Sequence, residues 1–236
     1  MKIRTTFLSI FIAVVSISCG GGPSSILLKA DATKNIRRIA ILEIKEPLYQ
    51  MVDLGSSTPW GAISAQNDAK EIKGTFDNVL KKEKFEFNKY LTQELHRSLR
   101  QAGFKTFAIK VKRADAGKFL ESYEKYKTAK IDALLDVATI TAGYVVENFI
   151  TSSHWRPETK TLVRLVNARD GAILYQETLM YGYHNPFMSG VDLDAPEKFH
   201  YQNRADIFKA GNKAIVDGLK DAANKVALYV GNQLKI

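Results

Sequence analysis

Residues 161–183 read TLVRLVNARDGAILYQETLMYGY, two apolar-rich runs on either side of Asp170-Gly171. An Asp-Gly pair favours the positive φ of a tight turn, so the stretch is expected to be a β-hairpin in the middle of a sheet. After the turn, Ile173, Tyr175, Leu179, Tyr181 and Tyr183 occupy alternate positions. They form one apolar, aromatic face, while Leu174, Gln176, Thr178 and Met180 point the other way. Such a face must be covered.

The covering elements lie on both sides. Upstream, residues 131–147 (IDALLDVATITAGYVVE) are apolar or small on both alternating faces, as in a central strand buried twice. Asp132 and Asp136 interrupt that run. Their spacing allows a carboxylate pair, but the better reading places one at the strand's start and lets the other bond a neighbouring loop. Residues 36–44 form a β-branched strand stopped by Pro47. Residues 83–102 carry Phe87, Leu91, Leu95 and Leu99 at helical spacing, with Gly103 as the stop. Residues 105–112 alternate as a half-exposed strand, and Asp115 is placed to cap a helix carrying Phe119, Leu120, Tyr123 and Tyr126. Downstream, Asp206 is expected to cap one helix running from Ile207 towards Lys235, with Phe208, Gly211, Ile215, Leu219, Ala222, Val226 and Val230 inward. The expected order is β-α-β-α-β-β-β-α, a single α/β domain over residues 36–236 with helices packed on a mixed sheet. Two stretches, 48–82 and 184–204, show no sustained period and are expected to be long loops, with 148–160 as a linker.

The amino terminus gives an address. Lys2 and Arg4 precede an uncharged, apolar run to Ser18, the layout of a secretory signal peptide over residues 1–18 and too short to span a bilayer comfortably. Ser16-Ile17-Ser18-Cys19-Gly20 resembles a bacterial lipoprotein lipobox, with Ser16 where leucine is commonest. The resemblance implies cleavage before Cys19, the single cysteine of the chain, and acylation of its thiol and amino group. A lone cysteine in an exported chain has no internal disulfide partner, and lipidation accounts for it. By the same resemblance, Gly20 implies delivery to the outer membrane, facing the periplasm. The Gly- and Ser-rich residues after Cys19 then open a tether over residues 19–35.

Removing residues 1–18 leaves 32 basic against 25 acidic residues, a balance of +7. A surplus of that size favours anionic lipid or polymer surfaces, but its basic residues are scattered, and nucleic acid is not an expected partner.

No motif announces a reaction. His184 and His200 bracket Asp192, Asp194 and Glu197, but no histidine pair has a metal-ligand spacing, and no G-x-S-x-G elbow occurs. No catalytic residue, metal or cofactor is therefore assigned, and a non-enzymatic protein is expected. Trp60, Trp155, Phe187 and Tyr201 fall in the expected loops, where exposed aromatics serve recognition. They are the candidate partner-binding residues. Burial over the sheet edge is the competing account for all four.

The lipobox, the RRIAILEI strand at 37–44, the LRQAGF helix end at 99–104, the AKIDALLDVATITAGY strand at 129–144 and the LVRLVNARDGAILYQE hairpin at 162–177 together resemble a superfamily of envelope proteins. It comprises the curli-secretion (CsgG-like) lipoproteins, exopolysaccharide-export and penicillin-binding-protein-activator lipoproteins, and the TolB amino-terminal domain. The resemblance implies a scaffold, adaptor or activator of an envelope assembly, with an envelope protein partner and a homo-oligomer as an option, since some members form rings. It brings no catalytic residues. The curli channel builds a barrel from two spanning hairpins per subunit, and each spanning strand needs about nine to eleven alternating residues. Neither 148–160 nor 184–204 supplies them, so no pore is expected. The alternative function is a basic module that binds an anionic polymer such as peptidoglycan or exopolysaccharide.

Overall fold

β4 (Ala133–Val146), β5 (Trp155–Asn167) and β6 (Ile173–Tyr181) form a long antiparallel meander in the computed structural model of the chain, which describes residues 24–29, 32–53, 74–128, 130–146, 154–182 and 190–235. β1 (Arg38–Leu42) and β2 (Leu48–Asp53) lie end to end along β4, each parallel to it. Outside β1 runs β3 (Lys105–Ile109), and beyond β6 a short β7 (Val191–Leu193) is parallel to it. Among the described residues the sheet has seven strands and is mixed, as expected.

The Asp170-Gly171 hairpin is present. Gly171 has φ of 81°, and its N–H donates to the Asn167 carbonyl at 2.9 Å. Asp170 Oδ1 takes the Ala172 N–H at 2.9 Å, so the aspartate side chain closes the loop that the glycine bends.

Two helices cover one face. α2 (Phe87–Gln101) buries Phe87, Leu91, Leu95 and Leu99, and α4 (Asn212–Leu234) buries Ile215, Leu219, Ala222, Val226 and Val230. They meet Ile39, Ile41, Leu135, Val137, Tyr144, Val163, Leu165, Tyr175, Leu179 and Tyr181 in one core. Gly218 lets α4 come close: a Cβ there would stand 2.4 Å from the Tyr144 hydroxyl. That hydroxyl donates to the Ile215 carbonyl at 3.1 Å.

Several expectations are corrected. Residues 48–53 are a strand rather than a loop, because their backbone finds the carboxyl-terminal half of β4, a pairing across about ninety residues that leaves no local signal. Residues 74–82 are helical (α1) and bury Phe76, Val79 and Leu80. Lys84, at φ of 50°, and the Phe85 N–H to Leu80 carbonyl bond of 2.9 Å end α1, so the helix expected from 83 begins at Phe87. Asp115 caps no α-helix. Residues 110–123 wrap irregularly over the second face, with only a 3₁₀ turn at Glu124–Tyr126, because their polar groups turn inward to Asp136. The last helix is divided into α3 (Arg204–Lys209) and α4 by Gly211, whose φ of 89° is not helical. Asn203, not Asp206, caps α3, its Oδ1 accepting the Asp206 N–H at 3.0 Å. The expected loop at 184–204 contains β7 and a 3₁₀ turn at Glu197–Phe199, and residues 155–160 belong to β5 rather than to a linker.

Part of the expected tether is docked. Ile26 pairs with Gln176 through Ile26 N–H to Gln176 O at 2.8 Å and Gln176 N–H to Ile26 O at 2.9 Å.

Candidate functional site

Asp132 and Asp136 serve the fold. Asp132, just before β4, accepts the backbone N–H groups of Arg37 and Arg38 at 3.0 and 2.9 Å, and the Arg38 guanidinium at 2.8 Å. The Arg38 hydrogen bond, with those backbone donors, lowers its carboxyl to a pKa of about 2. An unfolded aspartate titrates near 4. The folded value is the lower one, so this contribution to stability is complete above about pH 4 and is lost as pH falls towards 2. Asp132→Asn is therefore expected to flatten the acid limb of a stability–pH profile between about pH 4 and 2, measured by urea melts. An unchanged limb would show that other carboxylates set it.

Asp136 is fully buried. It accepts from Arg113 at 2.6 Å, from the Leu120 N–H at 2.8 Å and from the Tyr123 hydroxyl at 2.8 Å. Burial, with the Asp136 charge and hydrogen bond, pushes the Tyr123 hydroxyl well above its ordinary range. Arg164 stands 4.0 Å over the Phe119 ring and donates to the same hydroxyl at 3.1 Å. This polar cluster pins the irregular 110–123 segment to the sheet.

Of the candidate binding residues, Cys19, Trp60 and Phe187 lie outside the described residues. Trp155 and Tyr201 are brought together: Trp155 N–H donates to Tyr201 O at 2.7 Å, and Tyr201 N–H to Trp155 O at 2.8 Å. Trp155 is buried at 8% exposure and joins the main core, so it is a packing residue and not a free partner-binding aromatic. Tyr201 is half-buried, its ring 6.1 Å from that of Tyr144.

Tyr201 also lines a cleft of about 430 Å³ between α2, α4 and the Glu197–Phe199 turn. α4 presents Ala214, Asp217, Lys220, Asp221 and Asn224, spaced by three and four residues along one stripe. Tyr90 comes from α2, and Lys198 and Phe199 from the turn. The polar groups are held in place. Asp221 accepts the Tyr181 hydroxyl at 2.6 Å, and the Asn224 amide donates to the Tyr90 hydroxyl at 3.4 Å. The Lys220 ammonium sits 5.8 Å from the Tyr90 ring centre and 3.9 Å from Asp217, while Lys198 stands 4.8 Å over Phe199. Burial, with the Asp217 charge, raises the Tyr201 hydroxyl pKa, so it remains a neutral donor at physiological pH.

Chemically, the cleft combines aromatic rings for C–H faces, carboxylates and an amide for hydroxyl groups, and two ammonium groups for an anion. Its volume lies in the range of about 300–1,000 Å³ common to small-molecule sites. None of its lining residues is Ser, Thr, Cys or His. Among the described residues, no group of three or more His, Cys, Asp or Glu is placed to hold a metal ion. His154 and His200 approach each other, with ring centres 6.4 Å apart, and His200 Nε2 lies 3.1 Å from the Ala195 carbonyl. No helix among the described residues is long and apolar enough to cross a membrane. Sequence reasoning found Tyr201 but missed Tyr90 and the α4 stripe, whose charges read as an ordinary solvated helix face.

No protein-family model matches the sequence, and no curated protein matches it. Solved structures similar to it include three from bacteria. The PelC dodecamer from Paraburkholderia phytofirmans is 11% identical with a TM-score of 0.37, over 90% of this chain and 95% of that one. A putative neuraminyllactose-binding hemagglutinin homolog from Helicobacter pylori is 14% identical with a TM-score of 0.36, over 85% of this chain and 84% of that one. Lipoprotein GNA1162 from Neisseria meningitidis is 16% identical with a TM-score of 0.29, over 64% of this chain and 88% of that one. At these scores no residue role, ligand or assembly is carried across from them.

Proposed function

We propose that this chain is a non-enzymatic lipoprotein of the bacterial envelope, anchored by acyl chains on Cys19 and facing the periplasm from the outer membrane. It acts as a scaffold or adaptor of an envelope assembly or export system, and it does so by holding a strand of acidic envelope polymer. The cleft carries this reading. Aromatic rings and hydroxyl-binding carboxylates suit a sugar ring, Lys198 and Lys220 offer its negative charge two partners beside the matching Asp217 and Asp221, and the +7 balance of the chain draws an acidic polymer towards it. The resemblance of the 129–183 pattern to envelope scaffolds supports the adaptor role.

Titration calorimetry with a uronic-acid oligosaccharide tests it. Binding should weaken as salt rises, because the partners meet at an exposed site where charges are screened over about 8–10 Å. Lys198→Ala combined with Lys220→Ala should weaken it about tenfold or more, with the melting temperature unchanged. Equal heats for the acidic and a neutral oligosaccharide would remove the charge argument. No binding to either, with saturable capture of an envelope protein that the same substitutions abolish, would make the cleft a protein-docking site instead.

A further inference from the structure

Gln176 is 4% exposed, yet its side chain ends in a carboxamide. A buried amide is costly unless its hydrogen bonds are met. Arg164 Nε donates to the Gln176 carboxamide oxygen at 2.6 Å, which turns the NH₂ group outward from β5. That NH₂ donates to the Ser24 carbonyl at 2.7 Å. With the two Ile26 backbone bonds, three hydrogen bonds from one residue of β6 hold the segment Ser24–Ile26. β7 pairs only with Leu179–Tyr181, so this segment occupies the part of the β6 edge that β7 leaves open.

The docked residues follow Cys19 closely in the sequence. Cys19 precedes Ser24 by five positions, and that length of chain spans at most about 18 Å. A free linker from 19 to 35 would reach about 55–60 Å. Next to the docked residue, Leu27 is an apolar side chain 74% exposed. β3, at the far side, lies four strand spacings from β6, about 19 Å away.

We propose that the docked stretch Ser24–Ile26, bridged to Gln176, holds the β6 edge, with Leu27, against a phospholipid surface. The inference rests on the lipid anchor in the proposed function. It goes beyond that anchor by fixing which side of the domain meets the membrane.

The test uses the mature lipidated protein in vesicles of phosphatidylethanolamine and phosphatidylglycerol. A fluorophore on Leu27→Cys should be quenched by headgroup-nitroxide lipids at least threefold more strongly than one on Lys110→Cys, beyond β3. Hydrogen exchange should show the Gln176 amide protected. Ile26→Pro, which removes a donor, should speed that exchange at least a hundredfold and abolish the difference in quenching. Rapid Gln176 exchange in the unaltered protein would overturn the docking, and equal quenching at the two positions would overturn the orientation. A mature protein that fails to sediment with vesicles at all would instead overturn the anchor, a result read before any label is added.

Discussion

Asp136→Ala is expected to cost about 3–5 kcal/mol of stability, the range seen when one partner of a buried ion pair is removed. Three donors lose their acceptor together: the Arg113 guanidinium, the Leu120 N–H and the Tyr123 hydroxyl. Arg113 is itself 4% exposed, so water does not replace the carboxylate. In a domain of this size each kcal/mol corresponds to about 2–4 °C, so calorimetry should show the melt falling by about 6–20 °C. Asp136→Leu with Arg113→Met should be less damaging than Asp136→Ala alone, because neither partner is then left charged and buried. A single variant that melts within about 2 °C of the unaltered protein would show that the 110–123 segment is held by its apolar contacts, Leu120 foremost.

Complete loss from the membrane fraction is the second expected result. It applies to the chain exported behind an ordinary cleavable signal peptide with Cys19→Ser. Each buried CH₂ of an acyl chain contributes about 0.8 kcal/mol, and two or three chains outweigh what scattered surface lysines supply. Fractionation at high salt checks it. A variant that still sediments with membranes would move the anchoring energy to a protein surface, and the lipobox reading would fall.

What was legible in the sequence is what repeats at short range. The Asp170-Gly171 hairpin, the doubly apolar β4 and the inward stripe of α4 each announce themselves within about twenty residues, because turn chemistry and periodicity are local. β2 was not legible: Leu48–Asp53 is a strand because residues 141–146 lie beside it, and nothing within the six residues says so. The helix expected after Asp115 failed for the opposite reason. Phe119, Leu120 and Tyr123 have helical spacing, but Asp136 draws the Leu120 N–H and the Tyr123 hydroxyl into the sheet's second face, and that tertiary demand outweighs a weak local preference. Gly211 was read as a small residue in a stripe, whereas its positive φ ends one helix before the next begins. The cleft was legible only at Tyr201, since its walls come from residues 90, 198–201 and 214–224, which the fold alone brings together.

Tyr144 and Gly218 form a peg and socket whose effect reaches beyond close packing. The tyrosine hydroxyl engages the Ile215 carbonyl beside Gly218, where α4 has no side chain in its way, so the helix cannot turn about its axis without losing the peg. Slipping by one residue would rotate α4 by about 100°. Asp217, Lys220, Asp221 and Asn224 would then leave the cleft as a group. Their aim is thus fixed from inside the core by a contact that touches no ligand. Substitutions along the stripe are free to change what the cleft prefers while the 144–218 pair keeps the helix in phase. A bulkier residue at 218 would swing all four side chains at once, and the cleft would be lost without any change to its own residues.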